Sequence, residues 1–324
     1  MNTDILVLAE HFKGEATEIT FEMLGVARTL AAALHGQVAA VVIGADTARL
    51  AARLGAADTV LAVEQAPAAM MSSESTVPLL QQLLARRPAR LVLVAGTNIC
   101  MGIGAKLALR LQWPYVNFCK AVNATDGVLT FTSLLFGGKI LADLRLPDNR
   151  GIVSLYPGSF PPDAGQSERA PTVEKIDLPV EAGRVVFKRL IEPDATDVDI
   201  TKQEVLVAVG RGIESQDNLS LAEDLAAVLQ GAVCASRPVI DQGWLPLTRQ
   251  VGKSGMTVKP KCYLAAGLSG APEHVEGMKN SALTIAINKD AAAPIFDVAH
   301  YGICGDLLEI LPVLTEAIKA RKGA

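Results

Sequence analysis

Two short apolar runs late in the chain, Tyr263–Ala266 and Leu283–Ile287, each stop at a loop of Gly, Ser, Asn or Asp. They are too short for an ordinary helix and read as buried strands. Strands that are apolar on both faces belong in a parallel sheet covered by helices. This decides where function can sit, because open parallel sheets bind ligands in the crevice outside the carboxyl ends of their strands. Those ends carry Gly267-Leu268-Ser269-Gly270 and Asn288-Lys289-Asp290. The first loop runs into Pro272, Glu273 and His274, and proline suits the first position of a helix because its missing N–H has no partner there anyway. A helix starting at Pro272 would aim free amides and its positive dipole end into the crevice.

The first half of the chain alternates in the same way. Ile5–Leu8 is followed by a helical pattern through Phe21, Leu24, Ala27, Leu30 and Leu34, stopped by Gly36, and then by the strand Val38–Ile43. Helices at Thr47–Leu54, Val77–Leu84 and Met101–Leu111 alternate with strands at Thr59–Ala62 and Leu91–Ala95. This predicts crossover helices on a parallel sheet. From Val116 to Tyr156 the texture turns to short β-rich runs, Val128–Leu135 and Ile140–Leu146 among them, read as antiparallel hairpins. Pro157–Pro171 reads as a surface loop, Gly183–Leu190 as a short β stretch and the acidic Glu192–Asp199 as connecting chain. The last helix is placed at Asp306–Ala320, followed by Arg321 and Lys322 in keeping with the dipole.

The expected architecture is therefore α/β with two domains: an N-terminal Rossmann-like domain with added β-hairpins over 1–191, a linker over 192–202, and a C-terminal parallel-sheet domain over 203–324. A length of 324 residues suffices for two cores. A net charge of −4 gives no basic field for nucleic acid. Cys100, Cys119, Cys234, Cys262 and Cys304 form no CxxC pair and are expected as buried free thiols of a reducing compartment. The N-terminus enters a strand pattern at once, without a leader, and no apolar run approaches the roughly 20 residues that span a bilayer. A cytoplasmic protein is the expectation. Neither metal-ligand spacing nor a nucleophile motif is present, so no catalytic or metal residue is assigned.

Gly96-Thr97-Asn98 with Gly102 and Gly104 has neither GxGxxG nor Walker A spacing, and reads as small residues for close packing. Gly210-Arg211-Gly212, at the end of the strand Val205–Val209, offers close backbone approach and a rigid fork for phosphate, with a plain turn as the alternative. A lone Arg237 is ordinarily a surface ion pair and a lone His274 an ordinary surface histidine. If the strand ends converge, Arg211, Arg237, Ser254, Ser269, His274 and Asn288 line one rim and make a cofactor cradle.

The second domain resembles the alpha subunit of electron transfer flavoproteins, through GRG at Gly210–Gly212, ASR at Ala235–Arg237, QVGKSG at Gln250–Gly255, GLSGAPEH at Gly267–His274, AINKD at Ala286–Asp290, APIFDVAHYGI at Ala293–Ile303 and GD at Gly305-Asp306. The first domain is similar more loosely, in LAEH at Leu8–His11, LVAGTN at Leu93–Asn98 and FGGK at Phe136–Lys139. The resemblance implies FAD held mainly by the second domain. It implies a heterodimer with a beta subunit that contacts the first domain. It also implies an electron carrier rather than a stand-alone enzyme, serving flavin-dependent dehydrogenases, acyl-CoA types among them, and a quinone reductase or other acceptor. Arg237 is implied to lie over the flavin ring, Ser254 near N5 and His274 at the pyrimidine carbonyl O2. Arg211, Ser236, Gln250, Val251, Gly252, Lys253, Ser269, Gly270, Ala271, Pro272, Glu273, Asn288, Asp306 and Leu307 complete the implied site. Ser254 stands where the family usually has Thr, and Pro272-Glu273 where it has an aliphatic residue and Gln. A place in an electron-bifurcating assembly stays open. The reading from another class is a non-redox adenine-nucleotide-binding module on the same fold. A nicotinamide-dependent dehydrogenase is disfavoured, since no GxGxxG follows the first strand.

Overall fold

The short apolar runs fold as strands, and the helical stretches between them as crossovers. The computed structural model describes residues 5–64, 72–125, 127–179, 185, 188 and 197–322, and the chain divides into two units, Met1–Arg189 and Leu190–Ala324. The first unit opens with β1 (Ile5–Leu8), a small hairpin of β2 (His11–Phe12) and β3 (Glu15–Ala16), α1 (Glu18–Leu34) and β4 (Val38–Gly44). There follow α2 (Thr47–Ala52), β5 (Thr59–Glu64), α3 (Ser73–Arg86), β6 (Leu91–Ala95) and α4 (Ile103–Leu111). The unit ends with β7 (Tyr115–Thr125), β8 (Val128–Leu135), β9 (Ile140–Arg145), β10 (Gly151–Leu155) and β11 (Thr172–Lys175). One sheet runs β11-β5-β4-β1-β6-β10-β7-β8-β9. β7, β8 and β9 pair antiparallel at one edge, as the hairpin reading expects. β8 alternates, burying Leu129, Phe131 and Ser133 on one face.

Two expectations are corrected here. β10 is not part of a hairpin, since it lies between β6 and β7 and is parallel to both. All five of its residues are buried, which a β-rich run between turn signals does not reveal. Nor is 157–171 only a surface loop. Gly165 packs so closely on α1 that a Cβ there would stand 1.8 Å from the Phe21 carbonyl oxygen. The amides of Gly158 and Phe160 donate to the buried Glu22 carboxylate at 2.9 and 3.1 Å. The segment then delivers β11 to the far edge, parallel to β5. The stretch 183–190, residues 185 and 188 apart, and linker residues 192–196 lie outside the described residues.

The second unit contains β12 (Val205–Val209), α5 (Leu219–Leu229), β13 (Ala232–Ala235), α6 (Arg237–Asp241) and β14 (Cys262–Ala266). It continues with α7 (Pro272–Met278), β15 (Leu283–Asn288), β16 (Tyr301–Cys304) and α8 (Leu307–Lys322). Its five strands are all parallel in the order β13-β12-β14-β15-β16. Side chains alternate between two buried faces, as the apolar runs demand. Val207, Val209, Leu264 and Ala266 pack in one cluster with Leu225 of α5 and Leu311 of α8. Leu206, Ala208, Cys234, Tyr263 and Ala265 pack in another with Val251, Val258 and Met278. α8 carries Lys319, Arg321 and Lys322 in its last turn. All five cysteines are free. Cys304, expected buried, is exposed because it closes the edge strand β16, whose four residues are all exposed. Among the described residues, no helix is long and apolar enough to cross a membrane.

Candidate functional site

Strand register assembles the site. Val209 pairs with Ala235 on one side and Ala266 on the other, and Ala266 pairs with Ile287. The next residues, Ser236, Gly210, Gly267 and Asn288, therefore stand side by side along one carboxyl edge. The chain leaves β12 toward β13 and later leaves β14 toward β15, so the strand order reverses between β12 and β14, the switch point where such sheets bind ligands. A cavity of about 440 Å³ opens there, within the range of cofactor sites. Arg211, Ser236, Ser269, Gly270, Ala271, Asn288, Asp306 and Leu307, all expected site residues, line it.

Glycine is a structural requirement at two of these turns. A Cβ on Gly210 would lie 2.2 Å from the Gly267 carbonyl oxygen, so the loops after β12 and β14 touch backbone to backbone. Gly270 has φ of +84°, and a Cβ there would lie 2.2 Å from the Ile295 amide nitrogen. The polar side chains are mostly committed to holding the loops. Asn288 Nδ2 donates to the Leu268 carbonyl at 2.8 Å, while its Oδ1 accepts the Asp290 amide at 2.9 Å. Asp306 accepts the Leu308 amide at 2.8 Å and caps α8. Lys289, on the lining, pairs with Glu214 at 3.2 Å.

The other expected residues form a second group beside this cavity. The loop 250–256 closes on itself, with Gly252 N donating to Met256 O at 3.1 Å, and docks on α7 through Lys253 N to Glu273 O at 2.7 Å. Val251 N bonds the Ala235 carbonyl at 2.9 Å, which ties the loop to the end of β13. Buried Gln250 donates through Nε2 to Ser254 Oγ at 2.9 Å, leaving the exposed Ser254 its own hydroxyl proton to donate. Arg237 is exposed on α6 and, among the described residues, held only by an (i, i+4) pair with Asp241 at 3.3 Å. Pro272 takes the first position of α7 as the sequence predicts, with Glu273 exposed in the first turn.

His274 departs from the expected rim. It is buried, with Nε2 2.8 Å from the Tyr263 hydroxyl, and among the described residues Nδ1 has no hydrogen-bond partner. Burial pushes its pKa down to about 4, with the Val251 backbone pulling weakly the other way, so the imidazole is neutral near pH 7. Of the six residues expected to share one rim, Arg211, Ser269 and Asn288 line the cavity, while Arg237, Ser254 and His274 do not. Gly210, Gly212, Pro238, Gly267, Leu268, Ala293, Pro294 and Gly305 also line it, outside the expected site set. The glycines were legible as a motif at a strand end; Ala293 and Pro294 arrive from beyond β15 with no local polar signal.

The Gly96 loop of the first unit serves packing, as read. A Cβ on Gly104 would meet the Tyr115 ring at 2.7 Å, and one on Gly96 the Leu155 carbonyl oxygen at 2.6 Å. The buried Glu10 carboxylate accepts from the Thr97 and Thr17 hydroxyls at this strand end.

Residues 199–279 match the family model described as the electron transfer flavoprotein FAD-binding domain, and residues 5–181 match the electron transfer flavoprotein domain. The chain is 36% identical over 328 residues to the electron transfer flavoprotein subunit alpha of Megasphaera elsdenii, covering 98% of this chain and 97% of the relative. It is 32% identical to the Bacillus subtilis subunit alpha, with 98% of each covered. It is 33% identical to the acryloyl-CoA reductase electron transfer subunit beta of Anaerotignum propionicum, covering 99% and 97%.

Proposed function

The chain belongs to the electron transfer flavoprotein family as an alpha subunit that binds FAD and carries electrons, and from this premise we propose that FAD lies along the carboxyl edge of β12, β14 and β15 and that the loop 250–256, Arg237 and His274 attend its ring. The observation that carries this reading is the glycine-walled cavity at the switch point of the second sheet. The residues present fit the cofactor. The backbone approaches closely at Gly210, Gly212, Gly267 and Gly270, Arg211 supplies a cation at the lining, and the orphaned Nδ1 of His274 lacks a partner that a ring carbonyl would provide.

Bound FAD supplies the redox chemistry, accepting electrons from one protein and passing them to another. The chain's part is to hold it and to set its electrostatics. Arg237 gives up little on turning to the ring, because an exposed (i, i+4) pair is worth about 0.3–0.5 kcal/mol. Ser254 O–H, the His274 imidazole and the Arg237 guanidinium all favour a ring bearing extra electron density, at about 1.5–3 kcal/mol for each hydrogen bond to a charged group. Arg211, Ser236, Ser269, Gly270 and Ala271 line the remainder, with Asn288, Asp306 and Leu307 shaping it.

Alpha subunits of this family pair with a beta subunit, and we assign that contact to residues 1–191, with 192–202 as the linker to the flavin domain. We infer flavin-dependent dehydrogenases of the acyl-CoA type as electron donors and a quinone reductase or other redox protein as acceptor; the Anaerotignum relative, named as an electron transfer subunit of an acryloyl-CoA reductase, supports a partner that acts on CoA thioesters. The test is to purify the chain with its co-encoded beta subunit, record the flavin spectrum, and add an acyl-CoA dehydrogenase with its substrate. Flavin bands that bleach only when dehydrogenase and substrate are both present are expected. A heterodimer that takes up adenine nucleotides but no FAD would overturn the reading.

A further inference from the structure

The His274 imidazole is neutral, so one of its nitrogens is a donor and the other an acceptor, and the partner of one nitrogen decides the role of the other. That partner is Tyr263 of β14, a fully buried side chain whose hydroxyl lies 2.8 Å from Nε2, the two rings tilted at 52° with centroids 6.2 Å apart. We propose that Tyr263 is a positioning residue for electron transfer: its hydroxyl donates to His274 Nε2 and thereby holds the imidazole proton on Nδ1, the nitrogen left to donate to the flavin. The inference rests on the reading above that His274 contacts the ring.

The direction of the bond follows from the burial of the tyrosine. Burial pushes the Tyr263 pKa well above its ordinary value, so it keeps its proton at working pH. Its hydroxyl makes its hydrogen bond to Nε2, and Cys234, packed in the same cluster, offers only a thiol, a weaker acceptor than an imidazole nitrogen. The single hydroxyl proton of Tyr263 therefore goes to Nε2. The row runs Tyr263 O–H to His274 Nε2, ending on Nδ1–H, which makes no hydrogen bond to the described residues, and the Val251 backbone, which pulls the imidazole pKa upward, favours a ring N–H in the same sense. The reverse polarity would turn the Nδ1 lone pair on an electron-rich carbonyl and leave the buried tyrosine proton without its acceptor. The neighbours of a ligating imidazole commonly fix its tautomer in this way.

The test uses the FAD-loaded heterodimer with ¹⁵N-labelled histidine, where only four imidazoles of this chain need assignment, and FAD carrying ¹³C at C2. In the unaltered protein His274 is expected to show a protonated Nδ1 and a bare, hydrogen-bonded Nε2; a proton on Nε2 would overturn the proposal without any variant. In Tyr263→Phe the C2 carbonyl stretch is expected to rise toward its position in His274→Ala, and the flavin midpoint potential to fall in the same order. If His274→Ala moves the band and Tyr263→Phe leaves band, potential and tautomer unchanged, the role of Tyr263 is lost and the site reading stands. If His274→Ala leaves the band in place, the site reading fails and takes the proposal with it.

Discussion

His274 couples the site to acid stability as well as to the cofactor. Its folded pKa lies near 4, below the ordinary 6.5, so between those values the unfolded chain binds the extra proton and stability falls as pH drops. The loss amounts to about 3 kcal/mol on going from pH 7 to pH 4. His274→Gln should remove it, so denaturant titrations at the two pH values would diverge less for the variant than for the parent; equal divergence would count against a buried neutral imidazole. Glu273, one position earlier, is exposed in the first turn of α7 and brings a carboxylate beside the proposed site. Glu273→Gln should raise the flavin midpoint, by no more than about 1 kcal/mol since exposed charges are screened. A spectroelectrochemical titration reads the shift, and an unchanged or lower midpoint defeats the prediction. His274 was legible in the sequence because it follows a Gly-Ser-Gly turn and a proline at a helix start. Tyr263 was not, since a tyrosine within an apolar run gives the same signal as any core residue, and its contact with a residue eleven positions on exists only once α7 folds back on β14.

At the scale of elements, the loop after β14 and the segment after β10 are both held by close backbone approaches. Gly270→Ala would combine a left-handed backbone, about 1–2 kcal/mol for an L residue, with a Cβ 2.2 Å from the Ile295 amide nitrogen that only a shift of the 293–295 turn relieves. The variant is expected to fold and to purify with little flavin; full flavin content would show that the loop does not form the cofactor wall. In the first unit, Glu22→Ala leaves the amides of Gly158 and Phe160 without their acceptor beneath the segment on α1. The expected cost is roughly 2–4 kcal/mol, read as a lower urea midpoint with earlier proteolytic cutting within 157–171. Most strands and helices could be read from period and punctuation, because each needs only its own residues. The placement of β10 between β6 and β7, and of β11 beside β5, depends on which edges are free after the other strands have paired, and no local pattern encodes that. Glu22 reads as one more polar residue until its two amide donors arrive from 136 and 138 positions away.

For the whole molecule, the division at residues 189 and 190 makes cofactor binding a local source of stability. The residues proposed to hold FAD all belong to the second unit, so the ligand should act on that unit's unfolding and leave the first alone. At a hundredfold excess over Kd the gain is about 2.7 kcal/mol. The chain's two tryptophans report on this separately, Trp113 packed against the core of the first unit and Trp244 against one core of the second. With fluorotryptophan in this chain alone, paired with an unlabelled beta subunit, the ¹⁹F signal of Trp244 should unfold at higher denaturant when FAD is added, while that of Trp113 keeps its midpoint. A single transition moved as one by FAD would mean that the two units unfold together, and the cofactor would then stabilise the whole alpha subunit rather than its flavin domain.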